Sequence, residues 1–575
     1  MLCAASWSLV VVSAFFGGRT STAAAAEPTK PNVLLICVDD LKPILGCYGD
    51  KLVKTPNIDR LAARGLLLES AYCNQAVCSP SRNALLVGLR PQTLGIYDLA
   101  TNFRKSAPDA VALPQQFKQS GYTTISIGKL FHVGHGNVSD KDSWSEPPFK
   151  GGGVQYVNEA NRVEARFEEK KVNAKQAAAM SLRGAAVEAG RCDDDAYVDG
   201  VAAFEAERRL EGFAKTPEQP FFLGVGFIKP HLPFCAPQKY WDLYQESQFE
   251  PAARQTPPDG APEFAPQFGG ELRRYGGIPE KGTLPFDLQR KLIHGYYAAV
   301  SYMDAQVGRV LDALDKTGLA ERTIIVFWGD HGWHLGDHGM WCKHTNYEQA
   351  ARIPLLVAAP GVTKPGNRTK TLVETVDVYP TLCELAGLSP QTPLDGQSFA
   401  AVLRDPTTST RTSITHVYPR TNHLGRAIRT ERYRMVEWKA IGAVPDTAVI
   451  ELYDYQNDPQ ETKNIAAEQP SVVAELRAIL AKQPEAKPQI PTKPQVGVPP
   501  GSEKQPGEKK PQAKKQDRGA MFAGRDKNKD GKLTREEFLA NQPDPNEAPA
   551  RFTKFDVDGS GDLSREEFVS SGKRK

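Results

Sequence analysis

Five near-continuous apolar runs constrain this chain most: NVLLICV, TTISIG, FFLGVGF, TIIVFWG and IPLLVAA, spread between Pro31 and Ser389. Each is short and rich in β-branched or aromatic residues, which favours a strand over a buried helix. Segments of helical periodicity separate them, among them NIDRLAARG, LPQQFKQSG and the long LQRKLIHGYYAAVSYMDAQVGRVLDALDKTG. A strand apolar on both faces has to be covered on both faces. Alternation of such strands with helices therefore predicts an α/β fold around a large, mostly parallel central sheet.

The residues that follow these runs carry chemistry. NVLLICV ends in Asp39-Asp40, and TTISIG runs into Lys129 with His132 three residues on. FFLGVGF leads to Lys229-Pro230-His231, and TIIVFWG to Asp330-His331, with His334, Asp337, His338 and Lys343 behind them. Each piece alone has an ordinary structural explanation; an acidic pair after a strand is often a helix cap. Repetition at four strand ends is different, because open α/β sheets bind ligands beyond the carboxyl ends of their strands. Asp39, Asp40 and Asp330 are hard oxygen donors suited to Ca²⁺ or Mg²⁺, while His331 is a softer ligand. Arg82, Lys129, Lys229 and Lys343 are too many cations for ion pairs along one sheet edge, and suit an anionic group such as sulfate or phosphate. His132 and His231 can move protons near neutral pH. In AVCSPSRNALLVGLRP a thiol, Cys78, stands just before Pro80, Ser81 and Arg82, with no general base nearby in sequence.

Beyond Pro390 the pattern changes. GRAIRTERYRMVEW and ELYDYQNDP predict strands of a smaller antiparallel unit, and SVVAELRAILAKQ an amphipathic helix, to about Gln483. Residues 484–518 are rich in Pro, Lys, Gln and Glu and read as an extended, disordered linker. From residue 519 a repeat follows: DKNKDGKLTREE from Asp526 and DVDGSGDLSREE from Asp556. Both have the EF-hand order of calcium ligands. Asp526, Asn528, Asp530, the Lys532 carbonyl and Glu537 are the candidates in the first loop. Asp556, Asp558, Ser560, the Asp562 carbonyl and Glu567 are those of the second.

A chain of 575 residues with a net charge of +3 and mixed charges has room for several domains and does not require a nucleic-acid partner. The nine cysteines form no CxxC pair, which argues against a zinc ribbon. Residues 1–26, with a short apolar run before STAAAAE, predict a signal peptide and an exported protein, periplasmic or extracellular.

CSPSR matches the C-x-P-x-R signature of the sulfatases, and GDHG and KPH match their other site motifs. Within that family NVLLICVDDLKPILGCYGD, GKLFHVG, FIKPHLPF and DHGWHLGDHGMWCKHTNYEQAARIPLLV resemble the iduronate-2-sulfatase branch. The resemblance covers Asn32 to about Leu388, with LDGQSF and ELYDYQNDPQETKNIA as further familial elements. It implies an alkaline phosphatase-like fold, with a catalytic α/β domain over residues 27–389 and a C-terminal subdomain over 390–483. It implies that a maturation enzyme oxidises Cys78 to Cα-formylglycine, whose hydrated form supplies the attacking oxygen. By the same resemblance Asp39, Asp40, Cys78, Asp330 and His331 hold Ca²⁺, with Mg²⁺ the second choice. Arg82 and Lys129 fix the nucleophile, His132 is the base, and Lys229, His231 and Lys343 bind the sulfate of a sulfated oligo- or polysaccharide. Trp333, His334 and His338 either line the substrate cleft or pack the loop. A phosphonate monoester or phosphodiester hydrolase of the same superfamily is one alternative. A calcium-dependent glycan-binding protein with a degenerate enzyme domain is another. The EF-hand pair either stabilises the C-terminus or, the favoured expectation, tethers the enzyme to a glycan, a surface or a partner.

Overall fold

The computed structural model describes residues 30–162, 183–491, 518–540 and 548–570. The predicted signal peptide and residues 492–517 of the predicted linker lie outside them. The chain divides into two compact units, one up to Gly501 and one from Ser502.

All five apolar runs form strands of one seven-stranded sheet. Its members are β1 (Asn32–Val38), β2 (Leu66–Tyr72), β3 (Thr123–Gly128), β5 (Phe221–Phe227), β7 (Thr323–Gly329), β8 (Arg352–Ala358) and β9 (Asn367–Glu374), in the order β3-β5-β1-β7-β8-β2-β9. Short strands β4 (Val187–Gly190) and β6 (Phe234–Pro237) pair separately. The main sheet is parallel except for β8, which runs antiparallel to both β7 and β2. Every residue of β1, β5 and β7 is buried. Two apolar clusters, one on each face, explain this: Leu34, Ile36 and Val38 join one, and Val33, Leu35 and Cys37 the other. The first cluster takes in helix α1 (Pro56–Arg64) and the 31-residue helix α5 (Phe286–Lys316); the second takes in α2 (Cys78–Val87), α3 (Leu113–Gln119) and α6 (Val378–Leu385). Helix α4 (Val198–Phe213) adds Ala202, Ala203, Ala206 and Leu210 to the first. The fold is that of the alkaline phosphatase-like enzymes.

The smaller sheet is antiparallel, as expected: β10 (Ser413–Arg420), β11 (His423–Thr430), β12 (Tyr433–Lys439) and β13 (Val449–Asp454) in sequential order, with α7 (Pro470–Leu480) packed on it. In the second unit two helix–loop–helix segments pair through Leu533 and Leu563, at the eighth position of each loop. Phe522, Phe538, Phe552 and Phe568 close a small core around that pair.

The first residues of the expected linker are docked on the catalytic unit. The amide of Lys487 donates to Gln92 O (2.9 Å), and that of Ile490 to Gly95 O (2.9 Å). Tyr97 N donates to Gln489 Oε1 (2.7 Å), Ala486 is buried, and Glu485 pairs with Arg426 and Lys439. Composition hid this, because one Ile and one Ala carry the apolar contact in a Pro- and Lys-rich text. Removing Pro484–Pro491 should destabilise the catalytic unit by about 2–4 kcal/mol through lost burial and backbone hydrogen bonds. Thermal unfolding of chains ending at Gln483 and at Pro491 checks this; equal midpoints would contradict it.

Candidate active site and metal centre

Register builds the site. Val38 lies opposite both Phe227 of β5 and Gly329 of β7, so three central strands end level. The ladder continues one step further: Asp39 N donates to Phe227 O (3.2 Å) and Asp330 N to Val38 O (2.9 Å). Asp39, Asp40 and Asp330 therefore emerge side by side and wholly buried. Gly128 stands opposite Gly226, which delivers Lys129 to the same edge; a Cβ at Gly226 would meet Lys129 O at 2.2 Å, so only glycine admits this approach. Asp40 has a left-handed backbone, φ 59°. It is held by Asp330 Oδ1, which accepts from Asp40 N (3.0 Å), and by the Tyr296 hydroxyl, which donates to Asp40 O (2.6 Å). Such strain persists only where surrounding contacts fix it, and it clusters at functional sites.

Cys78 opens helix α2, so it occupies the first turn, where backbone N–H groups lack helical partners. Its Sγ lies 3.4 Å from His331 Nε2 and 3.7 Å from Lys343 Nζ. Burial, then the charge of Asp39, pushes the thiol far above its ordinary range. Reactive cysteines show the reverse shift. One turn on, the buried Arg82 guanidinium spans Asp330 (3.0 Å) and Asp39 (3.2 Å) and donates to the carbonyls of Lys129 and Leu130. Lys129 pairs with the other oxygen of Asp39, and Lys343 with both oxygens of Asp40 (2.7 and 3.0 Å). Three carboxylates thus face three permanent cations, as buried acids require.

The acids, Cys78 and His331 also fit a cation. One ligand atom each from Asp39, Asp40, Cys78 and His331 falls within 4.8 Å of the others. Asp330 Oδ1 lies 3.5 Å from His331 Nε2. His331 Nδ1 is 3.0 Å from Gly332 O, which fixes the proton there and leaves the Nε2 lone pair facing the carboxylates. Burial holds this imidazole near a pKa of about 3, hence neutral and able to ligate. Three carboxylates and one imidazole make a mainly hard donor set that suits a divalent cation.

The proton-handling groups lie around this centre. His231 Nε2 is 3.9 Å from both Asp39 and Asp40, and its Nδ1 is 2.6 Å from Leu232 O. His132 is buried, with Nε2 3.3 Å from His135 Nδ1. Lys229, expected to bind the sulfate, stands at the start of the His231 loop. Its Nζ donates to the carbonyls of His231 (2.9 Å) and Pro233 (2.6 Å), bracing the loop that carries His231. Trp333, His334 and His338 are buried under the loop after β7. The Trp333 ring lies 5.5 Å from Lys343 Nζ, a cation–π distance, and His334 Nε2 is 2.9 Å from Thr345 Oγ1. Of the two alternatives for these three, packing the loop is the one they follow.

Two acids escaped sequence reasoning. Glu271, between β6 and α5, reaches His231 Nε2 (3.5 Å) and Lys343 Nζ (3.9 Å), with Arg183 on its other oxygen (3.1 Å). Burial raises its pKa, but the charges of His231, Lys343 and Arg183 outweigh this and bring it down to about 2. Asp199, in α4, accepts the amides of Ile228 and Lys229 (2.8 Å each) and so anchors the start of the His231 loop. Burial pushes its carboxyl up to about 6, against those two hydrogen bonds. The only signal for Glu271 was a lone acid in GGELRRYGG, and Asp199 sits inside a helix with no motif.

In the EF-hand loops, Asp526 Oδ2 accepts from Gly531 N and Asp556 Oδ2 from Gly561 N (3.0 Å each). Asn528 and Asp530 are joined through Asp530 N (3.1 Å), and Lys532 N donates to Asp530 Oδ1 (2.9 Å). Asp556, Asp558 and Glu567 converge closely enough to share an ion. Ser560 Oγ donates to the Asp562 carbonyl (3.0 Å), and Glu537 Oε2 accepts from Thr534 N (3.1 Å).

Comparison with known proteins agrees with this geometry. The sulfatase family model matches residues 31–388. A model of the N-sulphoglucosamine sulphohydrolase C-terminal region matches 336–486, and one of the EF hand matches 526–540 and 550–570. Iduronate 2-sulfatase of Mus musculus is 39% identical over 390 residues, covering 62% of this chain and 69% of that one. A structure solved in complex with its substrate, D-glucosamine-2-N,6-O-disulfate, superposes with a TM-score of 0.59 at 21% identity, over 79% of this chain and 97% of that one. The phosphonate monoester hydrolase of Agrobacterium radiobacter superposes with a TM-score of 0.62 at 22% identity, over 79% of this chain and 95% of that one. At such identities the superpositions speak to fold alone. The match over residues 31–388, which spans every strand-end acid, His and Lys described above, places the chain in the sulfatase family, as a sulfuric ester hydrolase that carries an EF-hand pair.

Proposed function

We propose that this enzyme removes sulfate from ester positions of a sulfated glycan, as an iduronate-2-sulfatase-like exported hydrolase, using an oxygen nucleophile made from Cys78. The observation that carries this reading is the state of Cys78. It stands at a helix N-terminus, among three acids and three cations, with burial and Asp39 holding its thiol protonated. A group so placed is unfit as a thiolate. Conversion to Cα-formylglycine by a maturation enzyme would supply, in the hydrated form, an oxygen that attacks sulfur and later releases sulfate.

The remaining steps belong to the chain's own side chains. Asp39, Asp40, Asp330 and His331, with the modified Cys78, would hold Ca²⁺, which polarises sulfate oxygens. Arg82 holds Asp39 and Asp330 in line, and Lys129 holds the second oxygen of Asp39. Lys343, 3.7 Å from Cys78 Sγ, is placed to meet the sulfate, and His231 to protonate the departing sugar oxygen. Glu271 restrains both from the opposite side. His132 accepts the proton that must leave the nucleophile for sulfate to be expelled. The sequence match to iduronate 2-sulfatase supports the sulfate ester reading over the phosphonate one. The EF-hand pair is assigned to calcium-dependent association with larger material.

Coexpression with a formylglycine-generating enzyme should raise sulfate release from heparin-type, dermatan-type or algal oligosaccharides. Under those conditions the Cys78 peptide should show the thiol replaced by an aldehyde in its mass spectrum. Cys78→Ala should lower kcat by 10³-fold or more, about the scale of losing a nucleophile; substantial activity in that variant would defeat the mechanism. Asp330→Asn should lose activity and bound metal together, read by elemental analysis of the catalytic unit, and retained metal would remove Asp330 from the ligand set. A chain ending at Pro491 should keep kcat on a small soluble substrate within about twofold and lose calcium-dependent association with polysaccharide, since EF-hand affinity depends on its own loop ligands. Loss of small-substrate turnover in that folded chain would show that the two units are coupled.

A further inference from the structure

The loop after β3, GKLFHVGHGN, holds a second imidazole for which the reaction as described has no use. His135 lies 3.3 Å from His132 through Nδ1 and Nε2, with ring centroids 5.5 Å apart. His132 is buried, whereas His135 is exposed. Among the described residues, His132 Nδ1 has no hydrogen-bond partner. The contact is enforced by backbone. His135 (φ 53°) and Gly136 (φ 88°) form the centre of a two-residue turn closed by Gly134 and Asn137 (2.8 and 3.1 Å). Positive φ at both central positions is the type I′ pattern, in which histidine is strained where Asn or Gly is favoured. The turn is in turn bolted to the start of helix α2, because Asn137 Nδ2 donates to Ser79 Oγ (3.2 Å), next to Cys78.

We propose that His135 is a proton-relay residue that carries the proton from His132 to water between turnovers. This rests on the sulfatase reading of His132 as the base. The overall reaction, R–OSO₃⁻ plus water giving R–OH, sulfate dianion and H⁺, releases one proton per cycle. His132 rests with hydrogen on Nδ1, takes the proton on Nε2 and then carries hydrogen on both nitrogens. Its Nε2–H bond breaks as the Nδ1–H bond of His135 forms, and the positive charge moves one ring outward. The exposed His135 then loses a proton to water and regains its starting tautomer by exchange with solvent. The surroundings favour outward passage. Burial, then Lys129, holds His132 down to about 3, so it does not retain a proton. His135 is also lowered, by the inner part of its ring being shielded and then by Arg183, with Glu271 opposing and Lys129 and Arg274 adding to the shift.

The test is His135→Asn in the full-length, matured enzyme. Asn tolerates the left-handed turn and cannot relay protons. Initial rates of sulfate release are measured across a range of imidazole concentrations at constant ionic strength. In dilute buffer kcat should fall at least about tenfold, KM should hold, and added imidazole should restore kcat in a saturable way, while the wild type stays insensitive to buffer. Unchanged kcat in dilute buffer would overturn the relay. A loss that imidazole does not restore would also overturn it, leaving His135 a structural residue. Should His135→Asn fold poorly, His135→Gly answers the same question, since glycine occupies the turn freely. Wild-type turnover of the sulfate ester reports separately on the sulfatase reading, so a failure of the relay and a failure of the reaction class are distinguishable.

Discussion

The arginine that spans Asp39 and Asp330 is the contact on which the site depends. Parallel pairing of β5, β1 and β7 forces those acids together at the sheet edge, and like charges at that separation in a buried place repel strongly. Arg82 answers both carboxylates at once from the first turns of α2, and uses its remaining donors on the carbonyls of Lys129 and Leu130. The same guanidinium thereby fixes the helix that presents Cys78, the edge strand that presents Lys129, and two acids of the metal centre. A lysine at that position could satisfy one acid but not this planar fork of contacts.

How much of this could be seen in the text differs between the two kinds of site. The EF-hand loops are local: each presents its ligands within twelve residues, so order and spacing suffice. The strand-end site is assembled from segments hundreds of residues apart. It was legible only because strand character and the carboxyl-end rule gather Asp39, Lys129, His231 and Asp330 without contacts being known. Loop residues escaped. Glu271 and Asp199 act through geometry that no local pattern encodes, and Lys229 shows the converse, a motif residue whose ammonium braces its own loop. The docking of residues 484–490 was missed because composition averages over a window in which two apolar side chains and a few backbone hydrogen bonds decide the outcome.

The strand ends supply rigid groups and the loops supply adaptable ones. Asp39, Asp40 and Asp330 inherit their positions from a sheet whose central strands are buried on both faces, so their spacing cannot drift without repacking two cores. His132, His135, His231 and Glu271 stand on loops fixed by a few polar contacts: a turn tied through Asn137 to Ser79, and a loop anchored by Asp199. Chemistry common to every turnover is best placed on the first kind of support. Recognition of a particular sugar and movement of protons to solvent tolerate, and need, the second. On that division, exchange of loop residues would alter which sulfate is reached and how quickly protons leave, while the metal centre and the residue that becomes the nucleophile stay where the register of three strands and one buried arginine puts them.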